Sequence, residues 1–244
     1  MSKLPDVIWL NTSSSLQCFA QPLLRYLSHE VIIAIWEYCQ TEDEPSSLDV
    51  AVELLHDYLK SITRPVHIIG HSTGGLLGLL YARRYPEKVK SLILLAVGVD
   101  AAIDWQAHYY THYPFLLSRQ KTLTTFVYNL FGYQNECTIK RLTRILEQDL
   151  DCSLSPHSLL KQLSLPPSPV PVPLMVCGSR DDVIVEPNAL QGWQPCLKEG
   201  DRLWECPQGR HFFHFFKSEL VAEQILDFWK SLCTSDFTCS SLKV

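Results

Sequence analysis

The stretch HIIGHSTGGLLGLLYARRYP, from His67 to Pro86, decides how the chain is read. It holds Gly70, Gly74, Gly75 and Gly78, drawn from only 10 glycines in 244 residues, and it sets Ser72 between the first two. VHIIG before the serine is a short apolar run bounded by a turn, as in a buried strand. TGGLLGLLYARRY after it has helical spacing. Gly70-His71-Ser72-Thr73-Gly74 is then the abrupt turn between them. A side chain on such a turn is held in a strained conformation with its oxygen clear of the backbone. Glycines flank it because a Cβ there would strike the neighbouring strand or helix. The helix that follows aims its first N–H groups, and the positive end of its dipole, at the same spot. A GxSxG string also occurs by chance in βα units. The strand before it and the helix after it single out Ser72 as a candidate nucleophile.

Working outward, VIWL (from Val7), VIIAIW (from Val31), LILLAV (from Leu92), LMVCG (from Leu174) and RLWEC (from Arg202) read as five more strands. Several are apolar throughout rather than alternating, which marks a parallel sheet covered by helices on both faces. LQCFAQPLLRYL (from Leu16) and LVAEQILDFWKSL (from Leu220) have helical spacing. SSLDVAVELLHDYLKSI offers Ser46 and Ser47 as caps and an apolar face of Val50, Val52, Leu54, Leu55, Tyr58 and Leu59. The connection over residues 99–172 is far longer than the dozen or so residues a crossover needs. Within it, Trp105, Tyr109, His112, Tyr113 and Leu116 recur at helical spacing, and IKRLTRILEQDL is amphipathic. It closes on PPSPVPVP (Pro166 to Pro173), a stiff extended return. The expectation is an α/β core over 1–98 and 173–233, a helical cap over 99–172 inserted after the fourth strand, and a polar, frayed tail over 234–244.

Composition narrows the function classes. With 46% hydrophobic residues the chain can bury a core without metal or disulfide. Net charge is −5 and basic runs are short, which argues against nucleic acid or an anionic membrane as partner. No apolar run approaches the roughly 18 residues of a membrane span. The apolar run near the N-terminus is too short for a secretory signal. The 9 cysteines are scattered, without CxxC or zinc-like spacing. Free thiols in a reducing, cytoplasmic setting are the expectation. His108 and His112 stand four apart but lack an HExxH glutamate or an obvious third ligand, so no metal is inferred.

The strand–GxSxG–helix arrangement resembles the nucleophile elbow of the α/β-hydrolase fold. The resemblance extends over nearly the whole chain, because candidate partners follow in the order serine, acid, histidine. LMVCGSRDDVIVEP is similar to the family's strand ending in a G-x-x-D turn. Counting from Gly178, this implies Asp181 as the acid, with Asp182 beside it as neighbour or turn-former and Asp100, after the fourth strand, as a further candidate. His211, in CPQGRHFFHFF before the last helix, is the implied base, with His214 three residues on. His71 flanks the nucleophile but has no proton-transfer role in the motif.

The oxyanion donors implied are the N–H groups of Thr73 and Ser13. The loop Leu10-Asn11-Thr12-Ser13 departs from the family's His-Gly pattern. Thr12 stands for a glycine and, being β-branched, resists positive φ, so the loop is expected to differ in shape. Arg210 also stands where glycine is usual, and the family's first two strands are missing, leaving about six strands rather than eight.

The implied function is a serine hydrolase, carboxylesterase-like, working through an acyl-enzyme and without cofactor. Trp105, Tyr109, Tyr110, Tyr113, Phe115, Phe126, Tyr128 and Phe131 make the expected cap aromatic. They either line the site, implying a small-molecule substrate with an apolar acyl or alcohol group, or pack the cap onto the core. A thioesterase, an acyltransferase, a carbon–carbon hydrolase and a silent binding member remain as alternatives. Oligomeric state is not encoded in any of these features.

Overall fold

A computed structural model describes residues 4–38, 47–100, 118–153 and 167–240. Six strands form one sheet: β1 (Val7–Asn11), β2 (Ile33–Glu37), β3 (Val66–His71), β4 (Val89–Leu95), β5 (Leu174–Ser179) and β6 (Arg202–Cys206). Their order is β2-β1-β3-β4-β5-β6, and every neighbouring pair is parallel. This is the mostly parallel, helix-flanked sheet expected. The chain leaves β1 for β2 on one side and returns to β3 on the other. That reversal opens a crevice at the carboxyl ends of β1 and β3, where open α/β sheets bind ligands.

Alternation along the strands divides the core in two. Ile8, Leu10, Ile68, Leu92, Leu94 and Val176 face one layer. Val7, Trp9, Ile69, Ile93, Leu95 and Met175 face the other. The first layer is covered by α2 (Leu48–Lys60) and α3 (Thr73–Arg84), the second by α1 (Gln21–Leu27) and α8 (Ser218–Ser240). Central strands are therefore apolar on both faces, which explains their unbroken hydrophobic runs. The edge strands β2 and β6 are only partly covered.

Local chemistry accounts for where the elements differ from the sequence reading. The segment from Leu16 is not one helix. Pro22 lacks the N–H that a helix interior needs, so α1 begins at Gln21, after a 3-10 turn over Ser14–Phe19. In α2, Ser47 caps the Val50 N–H at 3.4 Å. Its buried stripe is Leu48, Ala51, Val52, Leu55 and Leu59, whereas Val50, Leu54 and Tyr58 form a second, exposed stripe. The closing helix α8 runs to Ser240, past the point where a frayed tail was expected.

Among the described residues between β4 and β5 are two helices, α4 (Arg119–Phe131) and α5 (Glu136–Cys152), started by Ser118 and Asn135, whose side chains accept the N–H groups of Lys121 and Thr138. The two pack against each other, and α5 also packs on the 3-10 turn after β1. Short helices α6 (Pro187–Gln191) and α7 (Phe213–Phe216) and 3-10 turns at Pro86–Lys88 and Gln194–Cys196 complete the described elements. No helix among the described residues is long and apolar enough to cross a membrane. Cys18, Cys137, Cys177, Cys196, Cys206 and Cys233 are free thiols.

Backbone crowds the turn between β3 and α3. A Cβ on Gly70 would collide with the Gly74 carbonyl, and one on Gly74 would come within 2.5 Å of the Leu10 carbonyl oxygen. Both obstacles are backbone, which cannot rotate aside. Gly70→Ala is expected to lower unfolding stability by roughly 3 kcal/mol, at the upper end of overpacking penalties, as read from urea denaturation.

Candidate active site

Ser72 sits at φ +50° and ψ −121°, a region that residues with a Cβ rarely occupy. It is held there from both sides. Its N–H donates to the Leu95 carbonyl at 2.9 Å, and its carbonyl accepts the Leu76 N–H at 3.0 Å. Thr73 is the first residue of α3, so its N–H has no partner within the helix. The side chain of Ser72 faces a cavity of about 100 Å³, whose wall also includes Thr73, His71, His211, Asn11, Thr12 and Ser13.

His211 comes from the loop between β6 and α7 and is 1% exposed. Its Nδ1 meets Asp182 Oδ2 at 2.9 Å, and the Asp182 side chain is fully buried. The other carboxylate oxygen of Asp182 accepts the Ile184 N–H at 2.8 Å, which fixes its plane. The acid against the ring is thus Asp182, not Asp181 as the register from Gly178 implied. The physical reason lies in the turn after β5. The Asp182 N–H closes onto the Ser179 carbonyl at 3.1 Å, and its side chain turns into the core. Asp181 remains half-buried and points at the backbone of Gly209 and Arg210. Asp100 does not line the cavity.

His71 and His214 complete a group of three imidazoles. His71 Nε2 lies 2.9 Å from the His211 carbonyl oxygen, so that nitrogen donates and the tautomer of His71 is set. Its ring packs 4.3 Å from that of His214. Burial, then the neighbouring imidazoles, hold His71 well below the ordinary histidine range. Burial, then the His211 ring, brings His214 down to about 3. Both are neutral near pH 7.

The oxyanion loop has its own arrangement. Thr12 is not among the residues with positive φ, so the loop avoids the backbone that a glycine would permit. The Ser13 N–H makes a long bond, 3.3 Å, to the Asn11 side-chain oxygen. From across the cavity comes a residue the sequence reading missed, Asp149 of α5. It is 8% exposed, accepts the Ser153 hydroxyl at 2.8 Å and also bonds to the Ser13 side chain. Burial raises its carboxyl above the usual range, and the two serines only partly offset this. One signal was available: Asp149 falls three residues after Leu146 and seven after Leu142, on the buried stripe of an amphipathic helix.

Apart from Gln17 the remaining wall is mostly apolar, with Leu16, Leu123, Phe126, Leu130, Leu146 and Leu150 among its members. Of the aromatics expected to form the cap, Phe126 lines the cavity. Phe131 packs between Phe19 and Phe212 with centroids at 4.9 and 4.5 Å, and Tyr128 is exposed. Trp105, Tyr109, Tyr110, Tyr113, Phe115, His108 and His112 lie outside the described residues. Among the described residues, no group of three or more His, Cys, Asp or Glu side chains could hold a metal ion.

Comparison with known proteins agrees with this architecture. Residues 8–224 match the alpha/beta hydrolase family, and the chain belongs to it. An uncharacterized protein of Nostoc sp. is 48% identical over 231 residues, covering 94% of this chain and 92% of its own. Lipase 1 of Psychrobacter immobilis is 26% identical over 170 residues, 58% of this chain and 50% of the lipase. The crystal structure of a serine hydrolase involved in carbazole degradation superposes with a TM-score of 0.70 at 17% identity, covering 94% of this chain and 92% of that one. At that identity the likeness speaks to fold alone.

Buried neutral histidines set the acid limit of stability. His71, His214 and His67 (brought down to about 3, chiefly by burial) stay unprotonated in the native state, while their unfolded counterparts protonate near 6.5. Unfolding therefore takes up as many as three protons between those values. Stability is present above about pH 6.5 and is lost as pH falls toward 3, by about 4 kcal/mol per pH unit at most. Urea unfolding across this range is expected to show that slope, and His67→Gln is expected to reduce it by about one proton.

Proposed function

We propose that the chain is a serine hydrolase that cleaves uncharged carboxylic esters through Ser72, His211 and Asp182. The observation that carries the reading is the buried 2.9 Å contact between His211 Nδ1 and Asp182, on the wall of the cavity that Ser72 faces. With Nδ1–H given to the carboxylate, the lone pair of the ring is on Nε2, the nitrogen a base needs.

In the first step the Ser72 oxygen bonds to the acyl carbon while its proton passes to His211. The negative charge goes to the carbonyl oxygen. The Thr73 N–H is one donor for it. The second is the Ser13 N–H, which exchanges its long bond to Asn11 for the stronger, charge-assisted one. Collapse breaks the bond to the leaving alcohol, which takes the proton from His211. A water then bonds to the acyl carbon while giving a proton to the same imidazole; collapse breaks the bond to the Ser72 oxygen, which takes that proton back from His211 as the acid leaves. Asp182 holds the ring in its tautomer and stabilises the imidazolium. No step calls for a metal or organic cofactor.

Substrate class follows from the wall. Leucine side chains of α4 and α5 favour an apolar acyl or alcohol group by withdrawing it from water. These two helices are read as part of the cap expected over residues 99–172. A substrate carboxylate would have to be desolvated against this wall, where no lysine or arginine stands among the described lining residues to receive it. An ester, rather than a thioester or amide, is the reading adopted. Lipase 1 of Psychrobacter immobilis, a relative over part of the chain, supports hydrolysis as the reaction class.

A fluorophosphonate probe tests the nucleophile: it is expected to label the wild-type chain and not Ser72→Ala. Wild-type protein that stays unlabelled, or label that persists in the variant, overturns the reading in favour of a silent binding member. With p-nitrophenyl esters, Ser72→Ala is expected to lower kcat by about 10⁶-fold and Asp182→Asn by about 10⁴-fold. Across acetate, propionate and butyrate esters kcat/KM is expected to rise by up to about fourfold per methylene, the value of about 0.8 kcal/mol per buried CH₂.

A further inference from the structure

Asp181 and Asp182 are adjacent, and only Asp182 meets the imidazole. Asp181 is engaged elsewhere. A single oxygen, Oδ1, accepts three hydrogen bonds: from the Ser179 hydroxyl at 2.7 Å, the Gly209 N–H at 2.9 Å and the Arg210 N–H at 2.8 Å. Gly209 and Arg210 immediately precede His211, and both have left-handed backbone, at φ +134° and +54°. At Gly209 a side chain is excluded, because a Cβ would lie 2.6 Å from the Phe213 Cα. At Arg210 the conformation is costly for a residue with a Cβ, so something outside the residue must impose it. The two N–H groups converging on one carboxylate oxygen do this. The Arg210 side chain adds a weaker tie, its Nε lying 3.8 Å from Asp181 Oδ2.

We propose that Asp181 is a positioning residue for His211: it fixes the backbone that delivers the imidazole, while Asp182 fixes the ring. The proposal rests on the assignment of His211 as the base. It gives that residue three independent restraints. Asp181 holds the chain just before it, Asp182 holds its Nδ1, and His71 holds its carbonyl oxygen at 2.9 Å. The Asp181 carboxylate suits the task. Burial acts to raise its proton affinity, but the Ser179 hydroxyl and the Arg210 and Gly209 N–H groups outweigh burial and hold it below the ordinary range. It is an acceptor throughout the pH range in which a histidine base works.

The test compares Asp181→Ala with Asp181→Asn, using kcat per site titrated with a fluorophosphonate so that unfolded protein does not count. Asp181→Ala is expected to lose about 10- to 100-fold in kcat, the scale of a slight misplacement of a reacting group, with KM within about threefold of wild type. Asp181→Asn keeps an oxygen at the same point and is expected to recover kcat to within about threefold of wild type. Equal kcat in Asp181→Ala and wild type overturns the proposal. So does a change confined to KM, and so does an Asn variant as impaired as the Ala variant. If Asp181→Ala yields no folded protein, Asp181→Ser, whose hydroxyl is too short to reach both N–H groups, is measured in its place with the same expectation. A wild-type chain without Ser72-dependent labelling overturns the function itself, and so is told apart from failure of the positioning role.

Discussion

A residue with a Cβ does not rest at φ +50° unless its surroundings leave it no alternative, and the architecture around Ser72 follows from that constraint. The N–H of Ser72 is tied to β4 through Leu95, and its carbonyl begins the hydrogen bonding of α3. Gly70 and Gly74 let the strand and the helix approach so closely that their backbones nearly touch. The price is local strain of order 1–3 kcal/mol. The return is a hydroxyl held above the carboxyl ends of β1 and β3, where the sheet reverses its order.

Two neighbouring carboxylates divide a task between them. In a turn of this shape successive side chains diverge, so Asp182 enters the core and Asp181 stays near the rim. The buried one has a single partner on each oxygen, His211 and Ile184. The rim one gathers hydroxyl and backbone donors from two loops. Neither arrangement leaves an unpaired charge in the interior, which would be far more costly than either hydrogen bond is worth. The same logic accounts for Asp149: burial without a cation favours its neutral form, and its bonds run to serines rather than to a charge.

Much of this was legible in the sequence, for identifiable reasons. Buried parallel strands must be apolar on both faces, so the central strands β1, β3, β4 and β5 announced themselves, as did the turn at Ser72, where only glycine fits two residues to either side of the serine. His211 stood in an aromatic context between the last strand and the last helix. What could not be read was direction. Asp181 and Asp182 are one residue apart and chemically identical, and which one turns inward depends on a turn closed by the Asp182 N–H and the Ser179 carbonyl. The stripe of α2 was blurred because Val50, Leu54 and Tyr58 are apolar yet exposed. Pro22 was visible, but its consequence, a 3-10 turn in place of the first helical turns, depends on how the loop after β1 packs beneath α5.

The insertion between β4 and β5 has a consequence for biogenesis. Ser72 lies before it, and Asp182 and His211 after it, yet β4 and β5 are paired neighbours, Leu92 beside Leu174. During synthesis the apolar edge of β4 is finished long before the strand that covers it has been made. Closing so long a loop is slow, and an uncovered strand edge invites pairing with other chains. A ribosome-bound intermediate that holds β1 through β4 would carry Ser72 without Asp182 and His211 beside it, and would be prone to stick, until translation of β5, β6 and the loop after β6 supplies them.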